Sequence, residues 1–292
     1  MASGYITLLS LDEQLRVTQS TLAAREEAYN LAKRQYETGY SSRLELMQSD
    51  SERRATRAQI PQLQHQISEQ ENALSLLAGG NPGPVPRGAF DRLSPLPVPA
   101  QLPSTLLNRR PDIVQAQQAL IAADASLAAS QAQLLPSISL TAGGTWQADT
   151  LPALLDNPLR LWSVGGSILA PLLNRQALNA QVDVSMSQRN QALYNYENTV
   201  RNAFKEVNDS LDAIARLQEQ LDELQEQATV AQEALRIAHN RYRNGYASYL
   251  DELDAQRTLY SVQTSVVQVK NNLLLAQVDL YRALGGGWTS GK

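Results

Sequence analysis

The chain has 292 residues, a formal net charge of -4 with both signs interspersed, and an aromatic content of 5%. Without a basic surface the sequence does not predict nucleic-acid binding, and without cysteine it excludes disulfides and thiolate metal sites. Its apolar residues are mainly leucine and alanine, which suits thin helical layers more than a large globular core. No apolar run reaches the roughly 18 residues of a membrane-spanning helix, so contact with a membrane would require β-strands or a further segment.

One helical hairpin occurs twice, and adding 206 to each residue number of the first copy gives the second. YETGYSSRL, which begins at Tyr36, aligns with YRNGYASYL, which begins at Tyr242. A repeat of this length indicates duplication of a whole structural unit. Residues 105–210 precede the second copy and have no counterpart before the first, so we expect a truncated form of a longer protein.

The first hairpin is predicted over residues 1–80, with its tip at 38–42. Gly39 suits a left-handed helix end, and Ser42 offers an N-cap for the returning helix. Gly245 and Ser248 are expected to do the same in the second copy. We expect Pro61 to kink or fray that helix. The outgoing helix carries apolar and aromatic residues at spacings of three, four and seven: Leu8, Leu11, Leu15, Leu22, Tyr29 and Tyr36.

Residues 81–104 are proline-rich and are predicted to be a linker between the repeats. A helix is predicted next, over residues 105–135, where Pro111 suits the start of a helix. Its many alanines indicate a close approach to another helix.

Between residues 136 and 172 apolar and polar residues alternate, which predicts an antiparallel β-hairpin with a loop at 147–161. Each strand is about the 9 to 11 residues that a tilted strand needs to cross a bilayer. Trp146 and Trp162 fall at the same end of the pair, as in an aromatic girdle. A soluble hairpin on a helical domain is the alternative.

A long helix is predicted over residues 173–245, followed by a return helix over 246–286 and a tail at 287–292. Apolar residues in the long helix alternate in steps of three and four, which indicates a coiled-coil seam. An ordinary amphipathic helix is the alternative. The seam consists of Leu211, Ile214, Leu217, Leu221, Leu224, Ala228, Ala231, Leu235, Ala238 and Tyr242.

The sequence does not predict an enzyme, a cofactor or a metal site. His65 and His239 do not occupy corresponding positions in the repeat, and there is no HExxH motif. Asp251 and Asp254 share one face of a helix just after the second tip, without a plausible nucleophile or histidine partner. Solvated acids that favour the helix macrodipole are the plain interpretation of the two aspartates.

Three separated motifs resemble the TolC-like outer-membrane factors, and most closely the OprM-type lipoprotein branch of RND efflux systems. They are LLNRRPDIVQAQQALIAADASLAASQAQLLPSISLTAGGTW, YRNGYASYLDELDAQRTLYSVQ and DLYRALGGGW. The resemblance covers nearly all of residues 5–288. It implies a mainly α fold, in which long antiparallel coiled-coil hairpins form an α-barrel tunnel and one β-hairpin belongs to a transmembrane β-barrel. This chain lacks the family's acylated cysteine and first strand pair, so we expect its β-hairpin to be disordered or re-paired with a neighbour.

The resemblance implies the exit duct of a tripartite efflux pump, which passively exports drugs or other small toxic solutes. Its implied partners are two further copies of the chain, a periplasmic adaptor, an inner-membrane RND-type pump and outer-membrane lipids. The implied location is the outer membrane and periplasm of a Gram-negative cell, with a lipid-anchored parent protein. The alternatives are an exit duct for type I protein secretion and a coiled-coil scaffold, although a scaffold needs neither the strand pair nor two acids at a tip.

The resemblance also assigns roles to residues at the two tips. Carboxylates converging on a narrow axis repel one another and attract cations, and an apolar residue beside them would form a second constriction. A tyrosine and an acid link the hairpins in the closed state, whereas the arginine that assists this link in the family is replaced by Ala247. The periplasmic gate is thus expected at Asp251, Asp254, Leu250, Tyr242 and Glu45, and the adaptor-contact tip at Gly39, Leu44, Gly245 and Ser248.

Overall fold

A computed structural model of the chain describes residues 1–93, 110–156 and 159–286. The helices are α1 (Ala2–Glu37), α2 (Arg43–Leu77), a short 3-10 helix (Phe90–Arg92), α3 (Pro111–Ala132), α4 (Leu151–Asp156), α5 (Arg175–Arg243) and α6 (Tyr249–Ala283). The strands are β1 (Ser137–Gln147) and β2 (Leu159–Leu169). Long helices with one strand pair confirm the predicted fold class. Four predicted segments lie partly or wholly outside the described residues: linker residues 94–104, helix residues 105–109, loop residues 157–158 and the tail at 287–292.

The chain divides into two compact units. Among the described residues, the hairpin unit comprises 1–93 and 205–286, and the strand unit comprises 110–156 and 159–204. Helix α5 begins in the strand unit and continues into the hairpin unit.

In the hairpin unit the segment after α2 contributes a buried aromatic residue to the contact between α1 and α6. Phe90 is 5% exposed and clusters with Leu9 and Val17 of α1 and with Val267 and Leu274 of α6. The Lys270 ammonium on α6 donates to the Phe90 carbonyl at 3.1 Å and lies 4.9 Å from the ring centroid. Burying a phenylalanine side chain contributes about 1.5–3 kcal/mol. The segment that contains Phe90 therefore stabilises the contact between the first hairpin and α6.

The predicted seam of α5 lies on the packed side of the helix. Ile214, Leu221, Ala231 and Tyr242 are buried, and the other six seam residues are half-buried. The spacing of the apolar residues by three and four thus correctly predicted which face of α5 is buried.

The two hairpin tips have the same backbone geometry. Gly39 and Gly245 have φ angles of 76° and 75°, in the left-handed region that favours glycine. The next N–H in each tip donates back to the helix, from Tyr40 to Gln35 and from Tyr246 to Arg241, both at 2.8 Å. These are the bonds of a Schellman motif. The predicted glycine helix ends are confirmed.

Both predicted serine N-caps are also present. The Ser42 hydroxyl accepts from the Glu45 N–H at 3.2 Å, and the Ser248 hydroxyl accepts from the Asp251 N–H at 3.4 Å. Each bond satisfies one of the free N–H groups at the start of a helix. The return helices therefore begin where the sequence predicts.

Helix α2 continues through Pro61 without a break. The predicted fraying therefore does not occur. Proline removes one backbone donor, which leaves the carbonyl of Arg57 without its usual partner. Pro61 and Arg57 are both exposed, so water can bind that carbonyl. The cost of an interior proline is lower at such a site than in a buried helix.

In the strand unit β1 and β2 pair antiparallel, with Ser137 opposite Leu169 and Gln147 opposite Leu159. The predicted β-hairpin is confirmed, and the expectation that it is disordered is wrong, because its two strands pair with each other along their whole length. Its loop contains α4, a helix that the sequence did not reveal. One face of the pair is mostly apolar and includes Ile138, Leu140, Val164, Ile168 and both tryptophans. All residues of both strands are exposed in the single chain. Within the described ranges no helix is long and apolar enough to cross a membrane.

Helix α3 packs against α5 through small side chains. Ser130 and Ser185 are 9% and 4% exposed, and their hydroxyls share a hydrogen bond of 2.8 Å. Farther along, Arg189 donates to the Asp124 carboxylate at 2.9 Å. Most alanines of α3 are nevertheless exposed, so among the described residues the close approach predicted from them is seen at Ser130.

Candidate functional site

The second hairpin tip uses one of its two predicted gate acids for local structure. The Asp251 carboxylate accepts from the Ser248 N–H at 3.0 Å and from the Ser248 hydroxyl at 3.1 Å, which completes a capping box. Asp254 lies one turn farther on, with a side chain that is 68% exposed and 3.7 Å from Arg257. The charge of Asp254 is therefore open to solvent, whereas Asp251 holds the start of α6.

Each tip exposes apolar and aromatic side chains to solvent. Leu44 and Leu250 are 65% and 49% exposed, while Tyr40 and Tyr246 are 89% and 78% exposed. Exposed leucines and tyrosines at the end of a helical hairpin provide contact area for a partner.

Glu45 does not repeat the capping geometry of Asp251. Its carboxylate accepts from the Ser41 hydroxyl at 2.7 Å instead of returning to the backbone of Ser42. The longer glutamate side chain thus binds within its own turn.

Tyr242 joins the second hairpin to the first, through a partner that the sequence did not identify. Its hydroxyl donates to the Gln35 side-chain carbonyl of α1 at 2.7 Å. Burial raises the pKa of Tyr242, and the negative charges of Glu45 and Glu252 raise it further. Glu45 therefore lies near the tyrosine, but the hydrogen bond of the hydroxyl goes to Gln35.

Tyr249 packs beside Tyr242 at the base of the tip. The ring centroids are 5.7 Å apart, with an interplanar angle of 58°, a tilted arrangement that aromatic pairs favour. Burial and the charges of Glu252 and Glu52 raise the pKa of Tyr249 to about 12. Both tyrosines are neutral in the folded chain at ordinary pH.

A second contact between the hairpins is centred on Glu52 of α2. The guanidinium of Arg25 on α1, a residue 6% exposed, lies 3.0 Å from the Glu52 carboxylate. Arg257 of α6 pairs with the other carboxylate oxygen. One acid thus connects three helices. No sequence pattern marks Glu52, because its two arginines lie on different helices and meet the acid only in the folded chain.

Glu252 of α6 is a further polar group near the tip, and it is buried, with 2% of its surface exposed. Its Oε1 accepts from His239 Nδ1 at 2.9 Å and from Gln256 Nε2 at 3.1 Å. His239 and Glu252 lie at mirrored positions around the turn between Gly245 and Tyr246, as Tyr242 and Tyr249 do. Mirrored positions of a hairpin face each other, and this was the signal that sequence analysis missed. Across the described residues, no group of three or more His, Asp or Glu side chains could hold a metal ion.

The chain matches the protein-family model described as outer membrane efflux protein over residues 1–80 and 102–286. It belongs to this family. The toluene efflux pump outer membrane protein TtgC of Pseudomonas putida is 36% identical over 290 residues, which are 99% of this chain and 60% of TtgC. The cation efflux system protein CusC of Escherichia coli is 33% identical over 290 residues, which are 98% of this chain and 63% of CusC. The chain thus spans less than two thirds of the length of these relatives.

Solved structures of family members have the same fold. A structure of CusC, from work on transmembrane channel formation, has a TM-score of 0.89 at 33% identity and matches 98% of this chain and 67% of its own. VceC of Vibrio cholerae has a TM-score of 0.85 at 27% identity and matches 98% of this chain and 69% of its own. The resemblance inferred from the three sequence motifs is confirmed.

Replacing Tyr242 and Tyr249 together by phenylalanine should reduce the loss of stability at alkaline pH. The pKa values of both tyrosines are raised in the folded chain, so the unfolded chain ionises first, near pH 10. Their contribution is complete below about pH 10 and is lost as pH rises through the folded pKa. Between about pH 9.5 and 11.5, the wild-type unfolding free energy should fall by at least about 1 kcal/mol more than that of the double variant.

Urea unfolding at several pH values measures this difference. The exposed residues Tyr40 and Tyr194 provide the matched control. Replacing them by phenylalanine should leave the pH dependence of the unfolding free energy as it is in the wild type. Parallel pH profiles for the wild type and the Tyr242→Phe, Tyr249→Phe variant would contradict the assignment.

Proposed function

We propose that this chain is part of the outer-membrane exit duct of a tripartite efflux pump, exporting drugs or other small toxic solutes. The observation that carries the proposal is the match of nearly the whole chain to efflux outer-membrane proteins in sequence and fold. The names of the relatives refer to toluene, cations and pyoverdine. Such different solutes for similar ducts favour a passive conduit, with the partner pump selecting the solute.

The duct is proposed to be a homotrimer that works with a periplasmic adaptor and an inner-membrane RND-type pump. The hairpin unit would lie in the periplasm and the strand unit at the outer membrane of a Gram-negative cell, with a lipid-anchored parent protein. Ile138 and Val164 on the apolar strand face are 79% and 64% exposed. An apolar face of this kind requires lipid or neighbouring protein to cover it.

The periplasmic gate is proposed at the second tip. Three copies of Asp254 around the axis would form a ring that attracts cations, while Leu250 would form an apolar constriction. Asp251 would add its charge to this ring while it caps α6. The exposed carboxylate of Asp254 supports the larger role for that residue.

Opening is proposed to move the second hairpin away from the first. The bond from Tyr242 to Gln35 and the pair of Arg257 with Glu52 both join the hairpins on the tip side. Both would have to break for that movement, and water could replace their hydrogen bonds. Glu45 would influence the Tyr242 contact by its charge.

The adaptor is proposed to meet the surface formed by both tips. Gly39 and Gly245 set the turns, Ser248 caps α6, and Leu44 presents an exposed side chain. Exposed leucine beside polar turn residues suits contact with another helical hairpin.

A chimeric channel with this chain in place of the matching part of TtgC should restore efflux to cells that lack their own exit duct. The expected result is recovery of drug tolerance and lower accumulation of a fluorescent efflux substrate. Cells with the empty vector provide the control, and export of a type I secretion substrate is followed in parallel. A chimera that reaches the outer membrane but restores only protein secretion, or neither activity, would refute the efflux assignment.

In planar bilayers, Asp254→Asn in the chimeric channel should weaken divalent-cation block roughly tenfold, because three carboxylates leave the ring. Asp254 is the informative position, since Asp251→Asn would also remove a capping interaction. The control is Glu226→Gln, the same loss of charge at an exposed site on α5. Equal block in wild type and Asp254→Asn would exclude this residue from the ring.

Single cysteines at the tips should cross-link to the adaptor, because the chain contains no cysteine of its own. Leu44 and Tyr246 are suitable positions, as both are exposed and neither caps a helix, unlike Ser42 and Ser248. Val230 on α5 is 69% exposed and provides the control away from the tip. Adducts from both tip positions and none from Val230 are expected, and their absence at the tips would rule out this surface.

A further inference from the structure

The hairpin unit contains a cavity of about 420 Å³ between α1, α5 and α6. Glu252 and Gln256 form its buried polar part, since they are 2% and 6% exposed. Apolar side chains line another part of the wall, among them Ala28, Leu31 and Leu235. The cavity therefore combines one buried acid with an apolar surface.

Two buried oxygen atoms of the cavity lining lack a hydrogen-bond partner among the described residues. They are Oε2 of Glu252 and Oε1 of Gln256. The other Glu252 oxygen already accepts from His239 and from the Gln256 amide. A buried carboxylate oxygen without a hydrogen-bond donor is costly. These two oxygen atoms therefore favour a bound group that has hydrogen-bond donors and a positive charge.

The hairpin fold itself does not require this acid. At the corresponding positions of the first hairpin, 206 residues earlier, Leu46 replaces Glu252 and Lys33 replaces His239. The same backbone turn and helix caps form there without a carboxylate at that position. Glu252 is thus a property of this cavity and not of the repeated hairpin.

We propose that the cavity binds a small organic monocation, with its ammonium group against Glu252 and Gln256 and its hydrocarbon part against Leu31 and Leu235. An ammonium group brings three N–H donors to the two free oxygens. The alkyl part is removed from water by the leucines, which favours binding. This assignment goes beyond the duct function and does not depend on it.

The charges around the cavity favour one positive group over several. Arg34, Arg236 and Arg243 line it and are exposed, and Arg236 is paired with Glu233. Solvent screens these exposed charges, whereas Glu252 acts at short range in a buried site. The arginines would repel the second charge of a polyamine, although Glu27, an exposed lining acid, partly offsets them.

The test is isothermal titration of n-butylammonium into the 292-residue chain. We expect saturable binding with a dissociation constant on the order of 1 mM, as suits a ligand of this size. Butanol, a neutral molecule of similar shape, should not bind, and spermidine should bind more weakly than butylammonium. Ligand-observed NMR measures butylammonium binding independently and should give a dissociation constant of the same order.

Glu252→Gln should weaken butylammonium binding roughly tenfold or more, since it removes the charge with little change in shape. The control Glu226→Gln, an exposed site on α5 outside the cavity lining, should bind as the wild type does. Gln256→Met, which removes the second oxygen, should also weaken binding and gives an independent variant if Glu252→Gln fails to fold.

Three results would overturn the proposal. The first is no saturable binding of butylammonium, which would mean a cavity that holds water only. The second is equal binding of butanol and butylammonium. The third is unchanged affinity in folded Glu252→Gln or, if that variant does not fold, in Gln256→Met.

Discussion

Packing of α6 against the first hairpin is the contact on which the hairpin unit depends. The return helices α2 and α6 both have 35 residues and occupy corresponding places in the repeat. Nevertheless 13 residues of α6 are buried, against four of α2. The two helices occupy equivalent places in the repeat, but α6 lies at the centre of the packing whereas α2 is mostly exposed. The exposed side of α2 is available to a neighbouring copy in the proposed trimer.

The contact between the hairpins changes character along its length. Away from the tips it is apolar and includes Phe90 and Val267, whereas on the tip side it includes the polar group Glu52 and the bond from Tyr242 to Gln35. Separating apolar residues exposes them to water, but separated polar groups can exchange their partners for water. Tyr242, Tyr249 and Leu253 also form a buried cluster with Ala28 of α1 on the tip side. The proposed opening movement would therefore have to separate apolar packing there as well as the polar contacts.

Local rules predicted the parts of this fold that local chemistry decides. Gly39, Ser42 and their counterparts were assigned from the sequence because a left-handed residue and a cap depend on a few neighbouring backbone groups. Gln35 as the partner of Tyr242 could not be predicted, since it depends on how α1 is rotated towards the second hairpin. The same limit applies to Glu52, whose two arginines lie on different helices.

At the tips, an acid of the proposed gate also serves local structure. Asp251 has a side chain short enough to return to the Ser248 backbone, so its carboxylate stabilises the start of α6. Glu45, at the corresponding position of the first tip, binds Ser41 and leaves its own N-cap without the reciprocal bond. The second tip is thus the more strongly capped of the two. A hairpin that moves as a rigid body needs such a tip, because fraying at the turn would absorb the displacement before it reached Asp254.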